Sequence, residues 1–399
     1  MRTAGITAEY NPFHNGHVYH LEKTRQLSGA DCVITIMSGD FTQRGEPAVC
    51  DKWERAKAAV SAARGADLVV ELPFAFACGR ASVFAAGAVD MLVKMGADII
   101  SFGCEAEDPE LLRNLADTLV SDAAAIEAER AEHMGEGLSN AKAYELAVAA
   151  RAGEAAAELL RSPNNILALE YLKRIAFWRA RGAVIEDLPV KRYGSGYHDV
   201  AEEETFAGAG ALRKMLKDGE DISRYVPELC CWEDATALSD RYLQILKGPV
   251  LRSKPEDLAR IRGIGEGLEN SIIREIKTAE SIDGLISALT SKRYTGATIR
   301  RALTHILTGT GWEEADMLTA RAPSAGRLLA AGEQGRRFMR EHKDGEFTIV
   351  TNMNREEESL TASDRQLLKL DEKAADIYNL LCGRDLYASS DRVKSPYIE

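Results

Sequence analysis

An α/β protein with a Rossmann-like, doubly wound parallel sheet is predicted, followed by a mainly helical C-terminal part. Three observations predict it. Short runs rich in Val and Ile alternate with helical stretches from residue 1 to about residue 110, the pattern of βαβ units whose strands are covered on both faces. The 399 residues are 45% apolar and 28% charged, enough to bury a core in two or three domains. Beyond Tyr225-Val226-Pro227 the periodicity turns mainly helical.

The elements follow in order. AGITAEY reads as a strand, HVYHLEKTRQL as a helix, DCVITIMSG as a strand and KWERAKAAVSA as a helix. ADLVVELP, GAVDMLVKM and ADIISFG repeat the alternation. Residues 109–182 are rich in Ala, Glu and Arg with helical spacing, interrupted at Ser162-Pro163-Asn164-Asn165. There Pro and two Asn make a helix start. AVIEDLPVKRYG returns as a strand, and FAGAGALRKML restarts a helix. After residue 227 one late strand is expected, in GEFTIVTN. The domain boundary falls between residues 225 and 240, which gives a catalytic unit 1–230 and a helical unit 231–399.

Fifty basic against 62 acidic side chains give a net charge of −12, which excludes a histone-like nucleic-acid binder but not a local basic face. Residues 1–240 carry 25 basic and 38 acidic side chains, residues 241–399 carry 25 and 24. Within the back half, residues 284–312 hold no acid but contain Lys292, Arg293, Arg300 and Arg301, with Tyr294 among them. Phosphate contacts plus a base stack would suit such a cluster, and a solvated helix face is the alternative. IRGIGEGLEN has the look of a nucleic-acid-binding hairpin turn, but Glu266 and Glu269 would repel a phosphate backbone, so a structural turn is expected.

Glu71 and Arg80 interrupt the most apolar region, so no membrane span is expected. The start MRTAGITAEYNPF has no apolar signal core, which points to the cytosol. Seven cysteines, Cys32, Cys50, Cys78, Cys104, Cys230, Cys231 and Cys382, show no zinc spacing. Small buried thiols and no structural metal are expected.

The chemistry concentrates in residues 4–20, AGITAEYNPFHNGHVYH. A strand runs into a turn at Asn11-Pro12, and His14-Asn15-Gly16-His17 opens a helix. Gly16 permits close approach of a nucleotide, and the free amides and dipole of the first turn favour phosphate. Two histidines three apart share a face. They can donate to the charge that builds on phosphates when the bond between the first and second breaks. Capping of a surface helix is the alternative.

That turn resembles the H-x-G-H signature of the nucleotidyltransferase superfamily. EYNPFHNGHVYHL, MSGDFTQRGEPAVCDKWERA, GADLVVELP, SFGCE, SPNNILALEYLKR, KRYGSGYHD and SKRYTGATIRRALTHIL together resemble the bacterial tRNA(Met) cytidine acetate ligase family over most of the chain. The resemblance implies an ATP-dependent ligase, with Mg2+ accompanying ATP, in which acetate attacks the α-phosphate to give acetyl-adenylate. The wobble cytidine of elongator tRNA(Met) then takes the acetyl group, forming N4-acetylcytidine, AMP and pyrophosphate. Implied ATP contacts are Thr7, Ala8, Glu9, Tyr10, Asn11, Pro12, Phe13, His14, Asn15, Gly16, His17, Val18, Tyr19, His20, Gly103, Asn164 and Arg192, with Asn165 open as an alternative to Asn164.

Physical reasons accompany each. Gly103 ends a strand at the sheet edge where ligands bind. Asn164 or Asn165 can bond a ribose or base, or cap a helix, and Arg192 offers a fork for phosphate, or a surface salt bridge. Arg44 and Lys52, after the second strand, are candidates to hold acetate or pyrophosphate beside the catalytic His14 and His17, and Asp40 to touch magnesium. One departure is that Gly208, Ala209 and Gly210 stand where the superfamily's second signature carries hydroxyls, leaving Arg213 and helix amides for phosphate. A small-molecule adenylyltransferase and a catalytically silent RNA-binding adaptor are the competing functions.

Overall fold

The structure, a computed structural model, describes residues 1–192, 205–227 and 232–399. Most of the KRYGSGYHD motif, and Cys230 and Cys231, lie outside the described residues. Five parallel strands form the expected sheet: β1 (Thr3–Ala8), β2 (Cys32–Ser38), β3 (Leu68–Leu72), β4 (Ile99–Cys104) and β5 (Glu186–Lys191). Their order is β5-β4-β1-β2-β3. Every side chain of β2 and of β3 is buried, as a parallel sheet covered on both faces requires. The order reverses direction between β1 and β4, and open α/β sheets bind ligands at the carboxyl ends of strands beside that reversal.

The helices justify themselves locally. The helix Asn15–Ser28 closes on Gly29 in the left-handed conformation, φ 64°. Ser162 caps the helix Pro163–Arg179, accepting from the Asn165 amide, with Pro at the first position. That helix packs on the helix Ala81–Lys94, where Asp90, buried, takes two 2.6 Å bonds from Arg174 and one of 2.7 Å from Trp178. Cys32, Cys50, Cys78 and Cys104 are buried free thiols and Cys382 is half-buried. Among the described residues no helix is long and apolar enough to cross a membrane.

The back half departs from expectation. Three further strands, β6 (Ala325–Ala331), β7 (Thr348–Val350) and β8 (Tyr397–Ile398), extend the same sheet. β7 is the strand expected in GEFTIVTN, whereas β6 and β8 went unread. β6 runs antiparallel to β3, Leu68 facing Ala331, and β8 pairs in parallel with β6. The expected division at residue 230 therefore does not divide the sheet. One apolar core joins Ile34 and Leu72 to Leu303 and Tyr378.

A buried charge network fixes that junction. Lys52 Nζ lies 2.8 Å from Glu71 and 2.7 Å from Asp391, and Arg327 lies 3.2 Å from each of the same two carboxylates. Burial opposes the charge on Lys52, but Asp391 and Glu71 outweigh it and hold its pKa above the ordinary value. Arg55, fully buried, spends its guanidinium on the carbonyls of Glu9, Ser38, Gly39 and Cys50. It ties together the chain leaving β1 and β2.

Candidate active site

A cleft of about 450 Å³ opens at the carboxyl ends of β1, β4 and β5, within the size range of small-ligand sites. Its lining includes His14, Gly16, His17, Tyr19 and His20, then Gly103, Glu105, Asn164 and Arg192. The structure thus brings together the histidine turn, the end of β4, the start of the Pro163–Arg179 helix and the end of β5. Each comes from a different part of the sequence.

The histidine turn builds its own geometry. His14 is the N-cap: its Nδ1 accepts from the Gly16 amide at 3.0 Å. The His14 amide in turn donates to Nδ1 of His17 at 3.2 Å. The two rings stack, centroids 3.8 Å apart. Gly16 is demanded by this arrangement, because a Cβ there would lie 2.8 Å from Cε1 of His14. Behind it, Tyr10 and Phe13 are buried in the core, with Tyr10 OH 3.1 Å from Thr35 Oγ1. Asn11 accepts from the Val49 amide at 2.9 Å, and Arg213 donates to the Asn11 carbonyl at 2.9 Å.

Protonation follows from these bonds. A ring whose Nδ1 accepts a backbone N–H carries its proton on Nε2 while neutral. Burial, then the charges of Arg192 and Arg213, push the pKa of His14 down to about 3. Burial and the neighbouring His14 hold His17 well below its ordinary value, and burial followed by Arg192 brings His20 to about 4. Nε2 of His14 is buried without a hydrogen-bond partner among the described residues. An N–H donor beside the cleft therefore awaits an acceptor, and the desolvation cost of leaving it unmet is about 1–3 kcal/mol. His20 differs: its Nε2 lies 3.0 Å from Ser101 Oγ, which also bonds Thr24.

A pH expectation follows. A depressed histidine pKa means that the neutral ring persists as pH falls, so pyrophosphate release should show no acid limb near 6.5, the ordinary histidine value. A flat initial-rate profile from about pH 5.5 to 8 is expected. An inflection near the ordinary value would contradict the neutral pair.

At the opposite wall, a Cβ on Gly103 would stand 3.1 Å from Cγ of Arg192, so the glycine makes room for the arginine. Of the two asparagines, Asn164 lines the cleft and bonds Glu105. Asn165 is buried and accepts from the amides of Glu105 (2.8 Å) and Ala106 (3.2 Å), which holds the turn after β4.

Other sequence candidates fall elsewhere. Thr7, Ala8, Glu9, Tyr10, Asn11, Pro12, Phe13, Asn15 and Val18 support the turn without lining the cleft. Asn15, for example, donates to the carbonyls of Thr205 and Arg224. Lys52 is not brought to the cleft, because its ammonium is spent on Glu71 and Asp391. Arg44 is exposed on the loop after β2, away from the cleft lining. Asp40, whose carboxyl burial pushes up to about 7, accepts from the Lys52 amide at 2.8 Å. Among the described residues no group of three or more His, Cys, Asp or Glu gathers to hold a metal. A magnesium ion arriving with a nucleotide would be held chiefly by the phosphates.

The basic cluster is split by folding. Lys292 and Arg293 are exposed, with Arg293 2.7 Å from Glu266. Arg300 turns inward to Glu46 at 3.4 Å and Asp283 at 3.8 Å. Tyr294 is not an exposed stacking ring, since its hydroxyl donates to the Gly265 carbonyl at 2.7 Å and pins the glycine-rich turn. Phe206, Ala207 and Gly208, which sequence reasoning had not singled out as a wall, close the cleft. The departure from the second signature, just ahead of Arg213, was the available signal.

Comparison with known proteins agrees with this geometry. The family described as HIGH Nucleotidyl Transferase matches residues 1–392. A tRNA(Met) cytidine acetate ligase of Lysinibacillus sphaericus is 33% identical over 98% of this chain and 97% of its own. One of Anoxybacillus flavithermus is 36% identical over 88% and 89%. The crystal structure of Thermotoga maritima TmcAL bound with alpha-thio ATP superposes with a TM-score of 0.87 at 28% identity, covering 100% of this chain and 99% of that one. With the histidine turn, the strand order and the full-length match in agreement, the chain belongs to the tRNA(Met) cytidine acetate ligase family of HIGH nucleotidyl transferases.

Proposed function

We propose that the protein is a cytoplasmic ATP-dependent ligase that activates acetate as acetyl-adenylate and acetylates N4 of the wobble cytidine of elongator tRNA(Met). The observation that carries this is the stacked pair of His14 and His17 at the switch-point cleft, each ring accepting a backbone N–H at Nδ1 and so leaving Nε2 as the donor. Acetate oxygen bonds to the α-phosphorus as pyrophosphate leaves. His14 and His17 donate to the phosphate oxygens that gain charge, which stabilises the transition state in a site already set for it. Neither ring is charged at neutral pH, so their part is hydrogen-bond donation rather than acid catalysis.

Arg192 supplies positive charge at the opposite wall, and Asn164 and Gly103 accommodate the ribose and base. N4 of the cytidine next attacks the acyl carbon, AMP leaves with the former acetate oxygen, and N4 loses a proton. Residues 1–230 carry the nucleotide chemistry and residues 231–399 help to hold the tRNA, across a sheet that both share. The closeness of relatives bearing this enzyme's name supports the choice of acid and RNA. Incubation with ATP, isotopically labelled acetate and a tRNA pool, followed by mass analysis of nucleosides, should place label in N4-acetylcytidine. A pool left unlabelled would refute the assignment.

Gly103→Val tests the cleft wall. Its side chain would crowd Arg192 and the nucleotide, at the roughly 1–3 kcal/mol typical of overpacking, so KM for ATP should rise about tenfold, near 1.4 kcal/mol. Initial rates against ATP concentration measure it, and an unchanged KM would remove Gly103 from the site.

A further inference from the structure

Away from the cleft, Arg80, Arg262 and Arg301 lie close enough for their charges to act on one another where the loop after β2, which carries Arg44, meets the helix Gly296–Thr308. Gly45 lies so close to that helix that a Cβ on it would stand 2.5 Å from the Arg301 nitrogen. Thr304 Oγ1 donates to the Gly45 carbonyl at 2.7 Å, and Arg301 reaches the Gln43 carbonyl at 3.4 Å. Arg262 donates to the Ala75 carbonyl at 2.6 Å, and His305 Nε2 lies 3.1 Å from the Cys78 carbonyl. These bonds draw the turn that ends in Arg80 against the same helix. Arg44 stands exposed between Gln43 and Gly45.

None of Arg44, Arg80, Arg262 and Arg301 forms an ion pair with a carboxylate among the described residues, whereas Arg293 and Arg300 do. Burial lowers the pKa of Arg262; Cys78 and Asp316 act in the opposite sense, Asp316 without forming an ion pair, and the charges of Arg80 and Arg301 add to the lowering. In a chain of net charge −12, collecting unpaired cations at fixed positions costs energy that a polyanion would return.

We propose that Arg44, Arg80, Arg262 and Arg301 form a phosphate-binding track for the backbone of the RNA substrate. Resting on the ligase reading above, it names the surface by which that substrate is held. Planar guanidinium forks match phosphate oxygens. The track also connects physically to the chemistry: the Gln43 amide donates to Glu9 at 2.7 Å, and Glu9 opens the segment leading to His14. The footprint is assembled by folding from residues 44 to 301, so adjacency in sequence does not reveal it.

The test titrates unmodified tRNA with wild type, Arg80→Gln, Arg262→Gln, the double variant and Arg336→Gln as a remote exposed control, between about 50 and 200 mM salt. Each lost phosphate contact should lower the slope of log affinity against log salt by about 0.7–0.9, and the double variant should bind about tenfold more weakly or worse. Acetate-dependent pyrophosphate release without tRNA should persist in every variant, and the control should match wild type. Arg262→Gln also loses its bond to Ala75, so Arg80→Gln, an exposed side chain that makes no capping bond, keeps the test independent of folding. Equal affinity and slope in Arg80→Gln and the double variant, with wild-type acetylation intact, would overturn the track alone. A wild type that makes no acetylcytidine would overturn the ligase reading beneath it.

Discussion

Replacing His14 or His17 with Ala should slow acetate-dependent pyrophosphate release by about 10²–10³-fold, the roughly 2.7–4 kcal/mol lost with one preorganised donor. Both rings accept a backbone amide at Nδ1 and so present N–H at Nε2, and their depressed pKa values keep them neutral. Gln in place of either places an amide N–H near the position of Nε2 and should recover part of the rate, whereas Ala should not. His14→Ala also removes the N-cap acceptor, costing about 0.5–2 kcal/mol of stability, so thermal unfolding must accompany the kinetics. Affinity for tRNA should be nearly unchanged. Losses below about tenfold, 1.4 kcal/mol, in both Ala variants would remove the histidines from catalysis.

Lys52→Met should destabilise the fold by about 3–5 kcal/mol, because removing one partner from a buried network leaves uncompensated charge. Glu71 and Asp391 would then share Arg327 alone, 3.2 Å from each. Asp391 comes from the C-terminal segment that pairs β8 with β6, so the damage should spread to the docking of that segment. Guanidinium unfolding measures it. This outcome separates the observed role of Lys52 from the substrate-holding role expected of it: a substrate ligand would lose rate at nearly constant stability.

The front of the chain was legible because local pattern and global fold agree there. β1 to β4 are short runs dominated by apolar residues and alternate with helices, and the histidine turn carries its own hydrogen bonds within four residues. β6 was not legible, because GRLLAA has the Ala and Leu of a good helix former and becomes a strand by pairing with β3, β7 and β8. Lys52 misled for a related reason, since its partner Asp391 is 339 residues away. The 292–301 cluster read as one face, yet Arg300 is claimed by Glu46, a contact that only the fold creates. Of Asn164 and Asn165, helix geometry alone decides which faces the cleft and which is spent on the amides after β4.

The sharpest measurement follows an oxygen atom. In a complete reaction with ATP, tRNA and acetate labelled with oxygen-18 at both oxygens, attack at the α-phosphorus and later acyl transfer should leave one heavy oxygen in AMP, read by mass spectrometry. AMP without label, recovered alongside acetylated cytidine, would mean that no acetyl-adenylate had formed.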